Sequence, residues 1–141
     1  QHGVVHGGLR PTNILMKEDG TACVSDYGMV EVQSSGGDGY RYFSPEAWKG
    51  VRILGCFSLA PPAEQAFKTL SRSSDVFAWG MSALQIFTSK PPWGILTEKQ
   101  IFAFVVQEHT RPDRPDEDFG LTDHIWYIIQ KCWERDSRQR P

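Results

Sequence analysis

His6-Gly7-Gly8-Leu9-Arg10-Pro11-Thr12-Asn13-Ile14-Leu15 runs into Met16-Lys17-Glu18-Asp19-Gly20-Thr21-Ala22-Cys23-Val24 and then into Ser25-Asp26-Tyr27-Gly28. The middle of this stretch predicts a strand over residues 13–16, a turn over 17–20 and a strand over 21–24. An Asp-Gly pair between apolar flanks is a strong hairpin signal, because both residue types tolerate the left-handed backbone of a tight turn. Taken alone, the polar residues Asn13 and Asp26 have a plain reading as turn residues that bond their own backbone.

Upstream, residues 1–11 are Gly-rich and short. Downstream, residues 33–39 (Gln-Ser-Ser-Gly-Gly-Asp-Gly) read as a loop that buries little. Ser34, Ser35, Tyr40 and Tyr42 are phosphorylation candidates by residue type, with solvated linker the plainer reading of the serines. From Asp75 onward the chain reads as mostly helical. Ser74 and Asp75 mark a helix start, Phe77, Met81 and Leu84 keep a buried helical spacing, and Lys90-Pro91-Pro92 forces a stop. A second helix is expected over residues 101–106 and a third over 123–133. Trp79, Phe87, Trp126 and Trp133 read as core rather than as a cofactor box. Residues 49–73, with Ala60-Pro61-Pro62-Ala63, read as a surface insertion, placed at 50–73, or more sharply as a partner-binding excursion.

The chain has 141 residues, room for one domain, with 40% hydrophobic and 23% charged residues, which excludes a disordered tail. Its formal net charge is -2, so the basic footprint of a nucleic-acid or anionic-membrane partner is missing. No apolar stretch is long enough to span a bilayer. Cys23, Cys56 and Cys132 are odd in number and lack metal-ligand spacing. A reduced intracellular compartment, the cytoplasm, is the expected location.

Three further motifs complete the order: Arg41-Tyr42-Phe43-Ser44-Pro45-Glu46, Ser74-Asp75-Val76-Phe77-Ala78-Trp79-Gly80, and Cys132-Trp133-Glu134-Arg135-Asp136-Ser137-Arg138-Gln139-Arg140-Pro141. In this series the chain closely resembles the C-terminal lobe of the protein kinase fold, with the flavour of the tyrosine-kinase-like group. The fold class it implies is mainly α with a small β-hairpin, an incomplete α+β kinase lobe. The resemblance covers residues 1–141. A rival likeness to α/β-hydrolases rests on His6-Gly7-Gly8 and Gly80-Met81-Ser82-Ala83. It lacks the second elbow glycine and sets Ser82 inside a helical pattern.

The resemblance assigns roles by position. Asn13 and Asp26 match the metal-binding residues that hold Mg²⁺ against nucleotide phosphates, hard oxygen donors for a hard cation. Leu15 falls where an apolar side chain lies beneath adenine. Arg10 stands at the phosphate-facing Lys position, with its charge delivered by a planar fork. His6 matches the residue that packs under Tyr27, beside Gly28. Glu46 and Arg140 match a buried ion pair, and Asp75 a helix-start residue that binds the catalytic-loop backbone.

The departures bear on function. Gly8 stands where the family has the catalytic Asp, and glycine can neither accept a proton nor orient a hydroxyl. Losing a general base typically forfeits about 10²–10⁴ in rate, roughly 3–5 kcal/mol of barrier. Gly39 replaces the hydroxyl residue that braces that Asp. Gly7 replaces the catalytic-loop Arg, which removes a partner for a phosphate on Ser34 or Ser35. These residues contain no Gly-rich phosphate loop and no Val-Ala-Ile-Lys strand. Mg-ATP is therefore implied by the family, while the chain alone, expected to be a piece of a longer protein, is expected not to bind it. Two function classes follow. One is a pseudokinase-type module that works through protein partners. The other is the C-terminal half of an active Ser/Thr or dual-specificity kinase that transfers the ATP γ-phosphate to protein hydroxyls.

Overall fold

The hairpin forms as its turn chemistry dictates. β1 (Ile14–Met16) pairs antiparallel with β2 (Ala22–Val24), in the register Ile14↔Val24, Leu15↔Cys23, Met16↔Ala22. Gly20 takes φ 82° at the turn, and the Gly20 and Lys17 amides close it on the Lys17 and Thr21 carbonyls at 2.9 Å. Asn13 is not part of β1. It ends a 3₁₀ turn, Pro11–Asn13, which Pro11 starts with its preset φ. The computed structural model describes residues 4–27, 38–53, 70–116 and 119–141. Gly28, Ser34, Ser35, Cys56 and the Ala60-Pro61-Pro62-Ala63 stretch lie outside the described residues.

Among the described residues four helices make the body: α1 (Pro45–Ile53), α2 (Arg72–Thr88), α3 (Glu98–Phe102), continued by a wide π turn over Ala103–Glu108, and α4 (Asp123–Cys132). α2 begins earlier than the expected start at Ser74 and Asp75. Its cap is Ser71, whose hydroxyl accepts from the Ser74 amide at 3.2 Å while the Ser74 hydroxyl accepts from the Ser71 amide at 3.3 Å. That reciprocal pair satisfies two end amides at once, which a start at Ser74 does not. α2 stops at Ser89, in the left-handed conformation at φ 55°, just before Lys90-Pro91-Pro92. α1 was not expected, and its two ends with α2 show that part of the 50–73 stretch is helix. The rest of it, residues 54–69, lies outside the described residues.

The core gathers on α2. Phe77 and Met81 are fully enclosed, as are Ile101 and Ile129 from the neighbouring helices. Trp48 of α1 is buried against Phe43 and Phe102, with ring centroids 5.5 and 5.6 Å away. Trp126 meets Trp133 edge to face at 5.7 Å. Trp133 belongs to the core, and Phe87 and Trp126 pack against it half-buried. Trp79 departs from expectation: it is 44% exposed, because it lies with Ile86 on the face of α2 turned from the core. Among the described residues no helix is long and apolar enough to cross a membrane.

Where α2 meets α4 the approach is close enough to require glycine. A Cβ on Gly80 falls 2.7 Å from Trp133 Nε1 and 2.9 Å from Cys132 Cβ. Gly80→Ala is therefore expected to destabilise by about 1–3 kcal/mol through overpacking, outweighing the roughly 1 kcal/mol that alanine gains as a helix former. A urea midpoint equal to or above that of the wild type contradicts this.

Candidate functional site

A closed circuit of hydrogen bonds shapes the loop before the hairpin. The Gly8 amide donates to His6 Nδ1 at 3.1 Å, so the His6 proton sits on Nε2, which donates to the Ser25 carbonyl at 2.7 Å. The Ser25 amide donates to the Asn13 carbonyl at 2.8 Å. Asn13 Nδ2 returns to the Gly8 carbonyl at 2.9 Å. Asn13 is 2% exposed, so its amide group is spent on fixing this loop and on whatever its oxygen faces. The Asn13 oxygen meets only a long contact from Thr12 Oγ1, at 3.5 Å. The closing of the hairpin thus sets residues 25 and 26 beside Asn13.

Asp75 ties the circuit to the body. Its two carboxylate oxygens accept from the His6 amide at 2.7 Å and the Gly7 amide at 2.8 Å, across 69 and 68 residues of chain. Gly7 takes φ 78°, a conformation that side chains rarely adopt, and this turns both amides toward Asp75. Asp26 also has a left-handed backbone, at φ 59°, and is exposed. Tyr27 stands edge-on to His6 at 6.5 Å but is itself 63% exposed. Leu15 is exposed on β1.

Beside this loop lies a small cavity. Gly8 and Gly39 line it together with Arg10, Tyr42 and Asp75. Gly39 reaches it on the 3₁₀ turn Asp38–Tyr42, which a buried arginine fastens down. Arg41 Nη1 donates to the Pro92 and Gly94 carbonyls at 3.0 and 2.9 Å, and its Nε pairs with Asp38 at 3.3 Å. The Tyr42 hydroxyl is bonded to Gln85 and buried. Burial pushes its pKa up, against the opposing pull of Arg10 and Arg41. Sequence reasoning saw Arg41 only as part of a motif. Its anchoring role depends on carbonyls 51 and 53 residues away.

Farther from the loop, Glu46 of α1 pairs with Arg140 through two contacts, Nη1–Oε1 at 2.5 Å and Nη2–Oε2 at 3.2 Å. Burial pushes the Glu46 carboxyl up, but the hydrogen bond and charge of Arg140 outweigh it and hold the group below its ordinary range. Arg111, which sequence reasoning placed only in a helix-ending turn, is a second, half-buried cation here. Burial and the like charge of Arg140 bring its pKa down to about 10. Ser82 is buried and donates back to the Ala78 carbonyl at 2.8 Å within α2, so it presents no nucleophile.

The model of the protein tyrosine and serine/threonine kinase family matches residues 1–141. The chain is 28% identical to the serine/threonine-protein kinase STY17 of Arabidopsis thaliana, over all of this chain and 22% of that protein. It is 30% identical to the serine/threonine-protein kinase LMTK3 of Mus musculus, over 99% of this chain and 10% of that protein. It is also 30% identical to the tyrosine-protein kinase HTK16 of Hydra vulgaris, over 97% of this chain and 17% of that protein. The chain thus spans about a fifth or less of the length of these relatives. With a family match over its whole length, a two-stranded antiparallel hairpin and a helical body, the chain belongs to the protein tyrosine and serine/threonine kinase family.

Proposed function

We propose that residues 1–141 are the part of a kinase domain from the catalytic-loop region to the final helix of its C-terminal lobe. In the parent protein they form a pseudokinase-type module of the tyrosine-kinase-like group, intracellular, that signals through protein partners rather than by transfer. One observation carries this reading: Gly8 has no side chain, and among the described residues no neighbouring carboxylate is free to substitute for it. Asp75 reaches the loop, but both its oxygens are committed to backbone amides. A general base must stand within hydrogen-bond reach of the proton it takes.

Asn13 and Asp26 fit Mg²⁺ in donor chemistry. The Asn13 oxygen has only the long Thr12 contact, Asp26 follows the residue bonded to Asn13, and both present hard oxygens. Among the described residues there is no group of three His, Cys, Asp or Glu side chains able to hold a metal ion. These two residues would share Mg²⁺ with nucleotide phosphates and water, and the ion would neutralise phosphate charge. Their presence supports a second reading, the C-terminal half of an active Ser/Thr or dual-specificity kinase.

Two measurements test the proposal. The 141-residue chain is expected to show no rise in melting temperature with Mg-ATP, whereas binding at 100 times Kd adds about 2.7 kcal/mol. The full parent protein is expected to transfer phosphate far below the usual kinase turnover of about 1–100 s⁻¹. Ordinary turnover on a peptide overturns the pseudokinase reading, and a reproducible shift of the isolated chain at millimolar Mg-ATP overturns the expectation for nucleotide.

A further inference from the structure

Another cavity, of about 240 Å³, opens between residues 109–112, just after the π turn, and the last turns of α4 with the residues that follow it. It shares no residue with the cavity at Gly8 and Gly39. Positive charge collects here, in a chain whose formal net charge is -2. Arg111 and Arg135 line the cavity, and Lys49 of α1 is close enough to act on the same His109 ring. Arg111 spends its Nε and Nη1 on the Trp133, Val105 and Thr110 carbonyls, the usual work of a cation beside helix C-termini. None of the hydrogen bonds among the described residues uses its Nη2. The exposed Arg135 has no such work, and none of the ion pairs among the described residues includes it. Glu134, the acid on the wall, is paired with Lys131 at 2.8 Å.

His109 registers that charge. It stands on the cavity wall with a left-handed backbone, φ 56°, and its Nδ1 is enclosed with no hydrogen-bond partner among the described residues. Burial, then Arg135, Arg111 and Lys49, push its pKa below the ordinary histidine value. A protonated imidazole donates from both nitrogens, so a proton on this ring is costly until an acceptor and a negative charge arrive together. An anion supplies both. The donors belong to several residues rather than to one planar fork. A single guanidinium fork matches a carboxylate, whereas donors on several residues suit the three oxygens and near-double charge of a phosphate.

We propose that this cavity is a phosphate-binding site, in which Arg135, Arg111 and His109 hold a phosphate group supplied from outside the chain. The group is carried either by a phosphorylated side chain of a partner protein or by a small free phosphate. None of the residues placed in the kinase reading takes part, so the site is tested without nucleotide or phosphoryl transfer.

The test is a titration of the ¹⁵N-labelled chain with sodium sulfate at fixed ionic strength, following the His109 ring nitrogens and the Arg135 Nε–H. Sulfate is a tetrahedral dianion across the whole range of the histidine titration. Saturable shifts are expected, with affinity falling about tenfold or more in Arg135→Gln, the scale of a lost charge-assisted bond. Arg135 is exposed, so that variant is expected to keep the fold. Saturating sulfate is expected to raise the His109 pKa, so affinity grows as pH falls through the bound-state pKa. His109→Asn, a residue type that accepts the left-handed backbone, is expected to keep binding at high pH and to lose that gain. Blocked phosphotyrosine and inorganic phosphate form the second arm. Tighter binding of blocked phosphotyrosine assigns the source to a protein side chain, and equal or tighter binding of inorganic phosphate assigns it to a small free phosphate. Acids outside the described residues are the internal alternative. If neutralising Glu31, Glu64, Glu117 or Asp118 creates binding that the wild type lacks, the chain fills its own cavity and the proposal fails. Linear shifts, a His109 titration unmoved by saturating sulfate, affinity unchanged in Arg135→Gln, or acetate binding as tightly as sulfate also overturn it.

Discussion

Glu46→Ala is expected to cost the fold about 3–5 kcal/mol, the usual penalty for breaking a buried ion pair from one side. The Arg140 side chain is fully enclosed, while 30% of the Glu46 side chain still meets solvent. Removing Glu46 therefore leaves a desolvated guanidinium with only neutral partners, the carbonyls of Ser73 and Glu134 at 2.9 and 3.0 Å. The penalty is compounded by Arg111. Both guanidinium carbons lie 5.2 Å from the Phe77 ring centroid, so the two cations share one aromatic neighbour, and Glu46 is the acid that acts on both. Arg140→Ala should destabilise by a similar amount for different reasons. It loses two carbonyl contacts and the packing on Phe77, but leaves an acid that water can reach and relieves Arg111.

The double variant should recover part of the summed loss, and additive effects in denaturant melts would show that the pair is not coupled. The pH dependence has a fixed sign. Because the folded Glu46 pKa lies below its unfolded value, its contribution is complete above the ordinary glutamate range and is lost as pH falls through the folded pKa. Glu46→Gln should flatten that acid limb. A limb identical to that of the wild type would mean that other carboxylates set it.

Sequence signals were readable where they are local. Asp19-Gly20 made the hairpin and Pro91-Pro92 ended α2, because each acts through the backbone of its immediate neighbours. The start of α2 was not readable to the residue. Ser71, Ser73, Ser74 and Asp75 are all chemically able to cap, and the reciprocal Ser71–Ser74 pair decides among them. α1 was missed because its buried residue Trp48 packs on Phe102, a partner in a distant helix. Trp79 was misplaced because helical period tells which residues share a face, not which face another element covers.

The same division holds at the site. Asp75, Glu46 and Arg140 were named through motif resemblance, and the structure joins them to partners far along the chain. The Ser25 carbonyl that fixes the His6 proton depends on the hairpin closing, so no residue type announces it. Arg10 looked like a phosphate contact in sequence. That it lines one cavity with Gly8 and Gly39 is visible only once the loop and the 3₁₀ turn Asp38–Tyr42 are brought together.

In the full parent kinase domain, Gly8→Asp is expected to raise phosphoryl transfer by about 10²-fold or more, the scale of a recovered general base. The backbone can take the change. Gly8 is not among the residues with positive φ, so an L-aspartate meets no conformational strain there, whereas Gly7, at φ 78°, would resist a returned arginine. The frame that would aim the new carboxylate is present, since Asn13 already holds the residue-8 carbonyl at 2.9 Å. Arg10 stands in the same cavity to stabilise its charge. Gly39→Thr should add to the rate only in the Gly8→Asp background, because a hydroxyl brace has nothing to hold until the carboxylate exists. A gain from Gly39→Thr alone would show that the 3₁₀ turn Asp38–Tyr42, not the missing base, limits the reaction. If the double variant binds Mg-ATP and still transfers nothing, the defect lies outside Gly8 and Gly39. The Gly8 explanation of inactivity then fails.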